Sequence, residues 1–212
     1  MTLDIFTIFP QMFDGPFSCG VIQIAKKKDV VDIRVWDLRD FTDDPHKRVD
    51  DYSYGGGPGM ILKPEPIFKG VRSVESRDAK VVLLSPRGKL YTQKMAQRLS
   101  RESHLIFICG RYQGVDERIR EALVDIELSI GNYILAGGEF ACMVIVESMV
   151  RLIPGVLGNS ESIDADSCGI LDAPLYTRPS EFEGIRVPEV LLSGNHEKIK
   201  HWRSKRRVKW PQ

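Results

Sequence analysis

The sequence predicts an α/β fold with a mainly parallel sheet. Two observations carry this. Short runs rich in Ile, Val, Leu and Phe alternate with amphipathic segments along most of the chain, and glycine-rich stretches follow some of those runs directly. Strand–helix alternation of this kind lays crossover helices over the faces of parallel strands. Residues 3–9, 31–36, 80–85 and 104–109 read as strands. Segments near 21–28, 65–74, 92–100 and 117–124 read as helices. Residues 138–152 also read as a helix, apolar nearly all round from Phe140 to Val150. A helix without a wet face is buried, in a core or at a subunit interface, so a homodimer is expected. Pro154 and Gly155 end that helix. Residues 158–172, rich in Asn, Ser, Asp and Gly, read as a flexible linker between a larger domain over 1–157 and a small helical one over 173–212.

Composition excludes several classes. With 212 residues the chain has room for one sizeable domain and an appendage. The 30 Lys and Arg against 29 Asp and Glu give no global nucleic-acid signal, so any such signal is local. It concentrates at the end, where Lys198, Lys200, Arg203, Lys205, Arg206, Arg207 and Lys209 alternate with Trp202 and Trp210. Cys19, Cys109, Cys142 and Cys168 form no C-x-x-C pair, which argues against a zinc knuckle or a redox pair. Reduced thiols suit a cytoplasmic protein. Residues 1–10 carry Asp4 and no basic leader, so they read as a first strand and not as a signal peptide. No run approaches the roughly 18 apolar residues of a membrane span. The four histidines show no metal-ligand spacing, and His104, opening an apolar strand, reads as structural.

Three glycine-rich stretches could bind a ligand: Tyr54-Gly-Gly-Gly-Pro-Gly-Met60, Cys109-Gly-Arg-Tyr-Gln-Gly-Val-Asp116 and Ile130-Gly-Asn-Tyr-Ile-Leu-Ala-Gly-Gly-Glu139. Glycine permits positive φ and close approach of backbone amides to a ligand. It is also the default residue of tight turns, so one loop alone decides nothing. Several such loops in one α/β domain favour a site at the carboxyl ends of the strands. Neither G-x-x-x-x-G-K-[ST] nor G-x-G-x-x-G after the first strand is present, which disfavours a P-loop or a dinucleotide fold.

These loops, with Ile153-Pro-Gly-Val-Leu-Gly158, Tyr176-Thr-Arg-Pro179 and Val187-Pro-Glu-Val-Leu-Leu-Ser-Gly-Asn-His196, form six ordered blocks. Together they resemble the bacterial tRNA (guanine-N1)-methyltransferases that modify the guanine after the anticodon, at position 37. The likeness runs from the N-terminus to about residue 203. It implies a SPOUT fold with a deep trefoil knot, which periodicity alone does not suggest, since true knots are nearly absent from proteins. It also implies a homodimer with active sites at the subunit interface, S-adenosylmethionine as cofactor, magnesium dependence and tRNA as substrate. The implied cofactor pocket comprises Leu84, Ser85, Pro86, Gly110, Ile130, Gly131, Asn132, Tyr133, Ile134, Leu135 and Gly137. The implied catalytic pair is Arg151 and Asp166, the latter directly before Ser167, with Asp164 a neighbouring candidate. Lys198, Lys200, Arg203, Lys205, Arg206 and Arg207 would hold tRNA phosphates.

The residue types suit the chemistry. Guanine N1 must lose its proton to attack a methyl group, and an Asp of reference pKa about 3.9 is a weak base for that. A cation at O6 would stabilise the charge developing there, and a planar, always-protonated Arg fits that task. Two positions depart from the family: Gln113 and Asn132 stand where Glu and Asp are common. Both changes remove negative charge near a cationic cofactor. Family members also continue with more helix past the position of Gln212, so a reduced or truncated tRNA-binding domain is expected.

Overall fold

Four parallel pairings build the sheet that positions everything else. The strands are β1 (Thr2–Thr7), β2 (Asp32–Asp37), β5 (Ala79–Leu90), β6 (His104–Cys109) and β7 (Ile126–Ser129), in the spatial order β2-β1-β6-β5-β7. The structure, a computed structural model, describes residues 1–157 and 170–209. The chain divides into two compact units, Met1–Gly158 and Asn159–Gln212.

In the first unit both faces of the sheet are covered. Phe6, Ile8, Val81, Leu83, Ile106 and Ile108 share one face with Ile67 and Val71 of α2 (Pro64–Val74) and Ile119 of α4 (Glu117–Ala122). The alternate residues Leu3, Ile5, Val82, Leu84, Leu105 and Phe107 are buried too. On that side α5 (Glu139–Val150) packs on β6 and against α1 (Gly20–Lys27) and α3 (Gln93–Leu99). Burial of both faces is why these strands are continuous apolar runs and not alternating ones. Local chemistry sets the helix starts. Thr92 and Asp116 accept hydrogen bonds from the first-turn amides of Met95 and Arg118, and Pro64 opens α2.

The buried Asp4 is satisfied. It accepts from Arg34 Nη2 and Trp36 Nε1, each at 2.6 Å, and meets His104 Nε2 at 2.8 Å. His104 is therefore part of a core polar network, as its place at the head of an apolar strand suggests.

Two features lay outside the sequence reading. β3 (Asp50–Tyr52) and β4 (Met60–Leu62) form an antiparallel hairpin whose strands are three residues long. Gly55, Gly56, Gly57 and Gly59 in its loop all have positive φ, a region that L side chains rarely adopt. The second is an excursion in β5. Leu84 and Lys89 both pair with Leu128 of β7, so residues 85–88 leave the ladder and return to the same partner.

The second unit holds α6 (Glu189–Leu192) and α7 (His196–Ser204). It also has two antiparallel ladders: β8 (Ile170–Leu171) with β11 (Val208–Lys209), and β9 (Glu181–Phe182) with β10 (Ile185–Arg186). The region expected to be helical thus has two strand pairs as well, each too short to leave a period in the sequence.

Candidate functional site

The loops that follow three adjacent strands converge on one cavity of about 440 Å³. The excursion of β5 supplies Ser85, Pro86 and Arg87. The turn after β6 supplies residues 110–115, and the segment after β7 supplies most of residues 130–138. A crevice at the carboxyl ends of parallel strands is where α/β folds place small ligands, and the volume lies in the usual range of roughly 300–1,000 Å³. Of the residues that the resemblance assigns to the cofactor, Leu84, Ser85, Pro86, Gly110, Ile130, Gly131, Tyr133, Ile134, Leu135 and Gly137 line this cavity; Asn132 does not. Gln113 lines it as well, and its amide donates to the Met60 carbonyl, docking the hairpin loop beside the turn.

Backbone contacts fix the two glycine-rich walls against each other. The Gly138 amide donates to the Gly110 carbonyl at 2.9 Å, and Arg111 and Gly137 form an antiparallel bridge. A Cβ on Gly138 would sit 2.9 Å from Cys109 Cα and 3.2 Å from the Gly110 nitrogen. Glycine is needed there for approach, not for φ, which is an ordinary −80°.

Charge in the wall is largely paired. Arg111 Nε donates to both Glu139 oxygens, at 2.9 and 3.1 Å, and Thr7 donates to Glu139 Oε1 at 2.7 Å. The Arg111 guanidinium lies 4.6 Å from the centre of the Phe9 ring. At the mouth, the hydrogen bond from Arg120 holds the Glu117 carboxyl below its usual range. Arg118 does the same for Asp116. Beneath the site, burial pushes the Cys109 thiol well up, so it is a packing group. Cys19, Cys109 and Cys142 are all free thiols.

Asp166 and Asp164 fall outside the described residues, as do most of the linker, Cys168 and Trp210. Arg151 is the C-cap of α5, while Gly138 and Ala141 at the other end of that helix line the cavity. Twelve residues at 1.5 Å each put about 18 Å between the two ends. A single copy therefore does not bring Arg151 into its own cavity.

In the second unit Lys198, His201 and Trp202 of α7, with its C-cap Lys205, fall at helical spacing and line one depression together with Arg206. Arg206 stacks on Trp202 at 4.3 Å. Arg207 is engaged differently, donating to Asp172 at 3.1 Å. Lys200 and Arg203 are exposed but do not line the depression.

Sequence reasoning missed Arg87, Arg120 and Glu127 in the cavity wall, and gave no individual role to Gly138 or to Glu139 behind it, though both lie in the third glycine-rich stretch. Glu139 had a signal, an acid heading a helix that is apolar for the next seven residues. Its partner, 28 residues away, could not be read from that. Among the described residues no group of three His, Cys, Asp or Glu side chains could hold a metal, and no helix is long and apolar enough to cross a membrane.

A glycine-walled cavity at the carboxyl ends of a parallel sheet, lined by apolar and charged groups, defines an α/β protein with a candidate small-ligand site. The chain belongs to the tRNA (Guanine-1)-methyltransferase TrmD family, whose model matches residues 1–210. It is 55% identical over 211 residues to the tRNA (guanine-N(1)-)-methyltransferase of Dictyoglomus turgidum, covering 99% of this chain and 86% of that one. The protein of the same name from Geobacillus kaustophilus is 54% identical over 209 residues, covering 97% and 86%.

Proposed function

We propose that this chain is a cytoplasmic enzyme that transfers a methyl group from S-adenosylmethionine to N1 of guanosine 37 in tRNA. The observation that carries the reading is the cavity, two of whose three walls are loops among those that carry the likeness to the family. Its lining suits the cofactor. Leu84, Pro86, Ile130, Ile134 and Leu135 offer apolar surface for a base and ribose, while arginines and carboxylates are available to a zwitterionic amino acid. When bound, S-adenosylmethionine supplies an electrophilic methyl group on a sulfonium.

The chain's own residues do the rest. Asp166 accepts the N1 proton, and Arg151 places its guanidinium at O6, where negative charge grows as that proton leaves. Walls that hold N1 in position for attack would supply much of the remaining acceleration. Magnesium, implied by the family likeness, finds no ligand cluster among the described residues, and no step is routed through it.

The working form is a homodimer, in which Arg151 of one copy serves the cavity of the other. Two features support it. Arg151 is a helix length from its own cavity, and Phe140 and Val144, one turn apart on α5, remain 59% and 49% exposed. Such an apolar stripe in a single copy marks an interface. The family's deep trefoil knot is part of the same reading, supported by the return of residues 137–138 onto the turn after β6.

The decisive assay is methyl transfer to unmodified tRNA transcripts carrying guanine or adenine at position 37. Transfer to the guanine transcript alone is expected; equal transfer to both, or to neither, would overturn the proposal.

The α7 cluster is proposed to hold tRNA phosphates and to contribute little to choosing the base. Each phosphate contact adds about 0.7–0.9 to the salt slope of binding. Lys198→Gln, Lys205→Gln and Arg206→Gln together should weaken tRNA binding and flatten that slope by about 2–3, with cofactor affinity and guanine preference unchanged. Titrations at several salt concentrations check this; parallel slopes would reduce the cluster to a solvated charge run.

A further inference from the structure

A buried ion pair behind the cavity wall has no part in the proton transfer described above. Glu139, 0% exposed in the first turn of α5, receives Arg111 Nε on both oxygens and the Thr7 hydroxyl on one. Arg111 lies in the wall itself, its guanidinium over Phe9 and its Nη2 3.2 Å from Met12 Sδ. The same two loops meet at two backbone points, the Arg111–Gly137 bridge and the bond from Gly138 to Gly110. A Cβ on Gly137 would overlap both the Arg111 side chain and the Glu139 carboxylate, so the segment passes the pair only with glycine there.

We propose that Arg111 and Glu139 are positioning residues. Their ion pair latches the turn after β6 to the segment entering α5, and cofactor affinity depends on that latch. The inference rests on reading the cavity as the S-adenosylmethionine site.

Two physical arguments support it. Buried ion pairs are poor stabilisers compared with apolar side chains of the same volume. What the pair adds is direction: a guanidinium bound through Nε to both carboxylate oxygens, with its face on an aromatic ring, holds one orientation. The pair also settles an electrostatic conflict. An arginine in the wall would repel a sulfonium, and Glu139 cancels that charge at a distance where the interior screens little.

The test compares wild type, Glu139→Gln and the double variant Arg111→Gln/Glu139→Gln, which leaves no unpaired buried charge. Calorimetry gives the affinity for S-adenosylmethionine, steady-state assays give KM and kcat, and thermal melts report folding. Both variants should lose at least about tenfold in cofactor affinity, with KM for the cofactor rising in step and kcat at saturation within about threefold of wild type. The double variant should melt within a few degrees of wild type. Unchanged affinity in a folded double variant would overturn the latch. So would a double variant that fails to fold, since the pair would then hold the fold and not the loop. Should Glu139→Gln alone fail to fold, the double variant decides. Wild-type protein that binds no S-adenosylmethionine would instead overturn the reading of the cavity itself.

Discussion

Asp166→Asn should lower turnover by about 10²–10⁴-fold, the usual contribution of a positioned general base. The substitution keeps the shape of the side chain and removes only its capacity to take the N1 proton. Affinity for S-adenosylmethionine should therefore stay at the wild-type value, because Asp166 has no part in the proposed pocket. Single-turnover methyl transfer at saturating tRNA and cofactor isolates the chemical step. A loss below about tenfold would remove Asp166 from the role. The neighbouring Asp164 offers the internal control: if Asp164→Asn shows the large loss and Asp166→Asn does not, the base is Asp164. Loss in both to the same degree would mean that the segment as a whole, and not one carboxylate, is required.

Gly138→Ala should cost at least about tenfold in cofactor affinity, or roughly 1.4 kcal/mol. The added methyl would meet the backbone of Cys109 and Gly110 at 2.9–3.2 Å, and the strand end beneath it is fixed by the β6 ladder. Neither neighbour can rotate away, so the segment entering α5 must move outward, and its amide must leave the Gly110 carbonyl. Gly131→Ala makes the contrast. There the methyl's nearest neighbours are ring atoms of Tyr133, which is half exposed and can turn aside. Its effect should stay within about threefold, since a flexible exposed side chain yields at little cost. Calorimetric titration of both variants checks the pair. Equal losses, or none in Gly138→Ala, would show that the wall is not where backbone approach matters.

The sheet was legible because burial on both faces writes strands as unbroken apolar runs. β6 is the clearest case, six residues all buried. β7 escaped because Ile126–Ser129 is only four residues long and carries Glu127. The β3–β4 hairpin escaped for a similar reason, with Asp50 and Asp51 in a three-residue strand. At the candidate site, glycines announced two of the three converging loops, since close approach needs residues without side chains. The third wall is followed by a single glycine, Gly88; its Ser85 and Pro86 came only from the family likeness, and Arg87 was not read at all. Arg111 and Glu139 show the limit more sharply. Each was visible, but their partnership depends on which strands become neighbours, and local pattern does not encode that. Asp166 and Arg151 were assigned by likeness alone; nothing in a lone linker carboxylate or a helix-end arginine distinguishes it from a solvated one.

The excursion of β5 has a consequence for how such a site can diverge. Residues 85–88 leave the ladder at Leu128 and rejoin it at Leu128, so the strand on either side is in register whatever those residues are. A one-residue slip inside β6 would turn its whole apolar set to the wrong faces. A change in the length or identity of residues 85–87 carries no such penalty. Gly88, whose missing side chain lets the chain close on Leu128, is the fixed end of the segment. One wall of the pocket can thus change shape without disturbing the register of the strands beneath it.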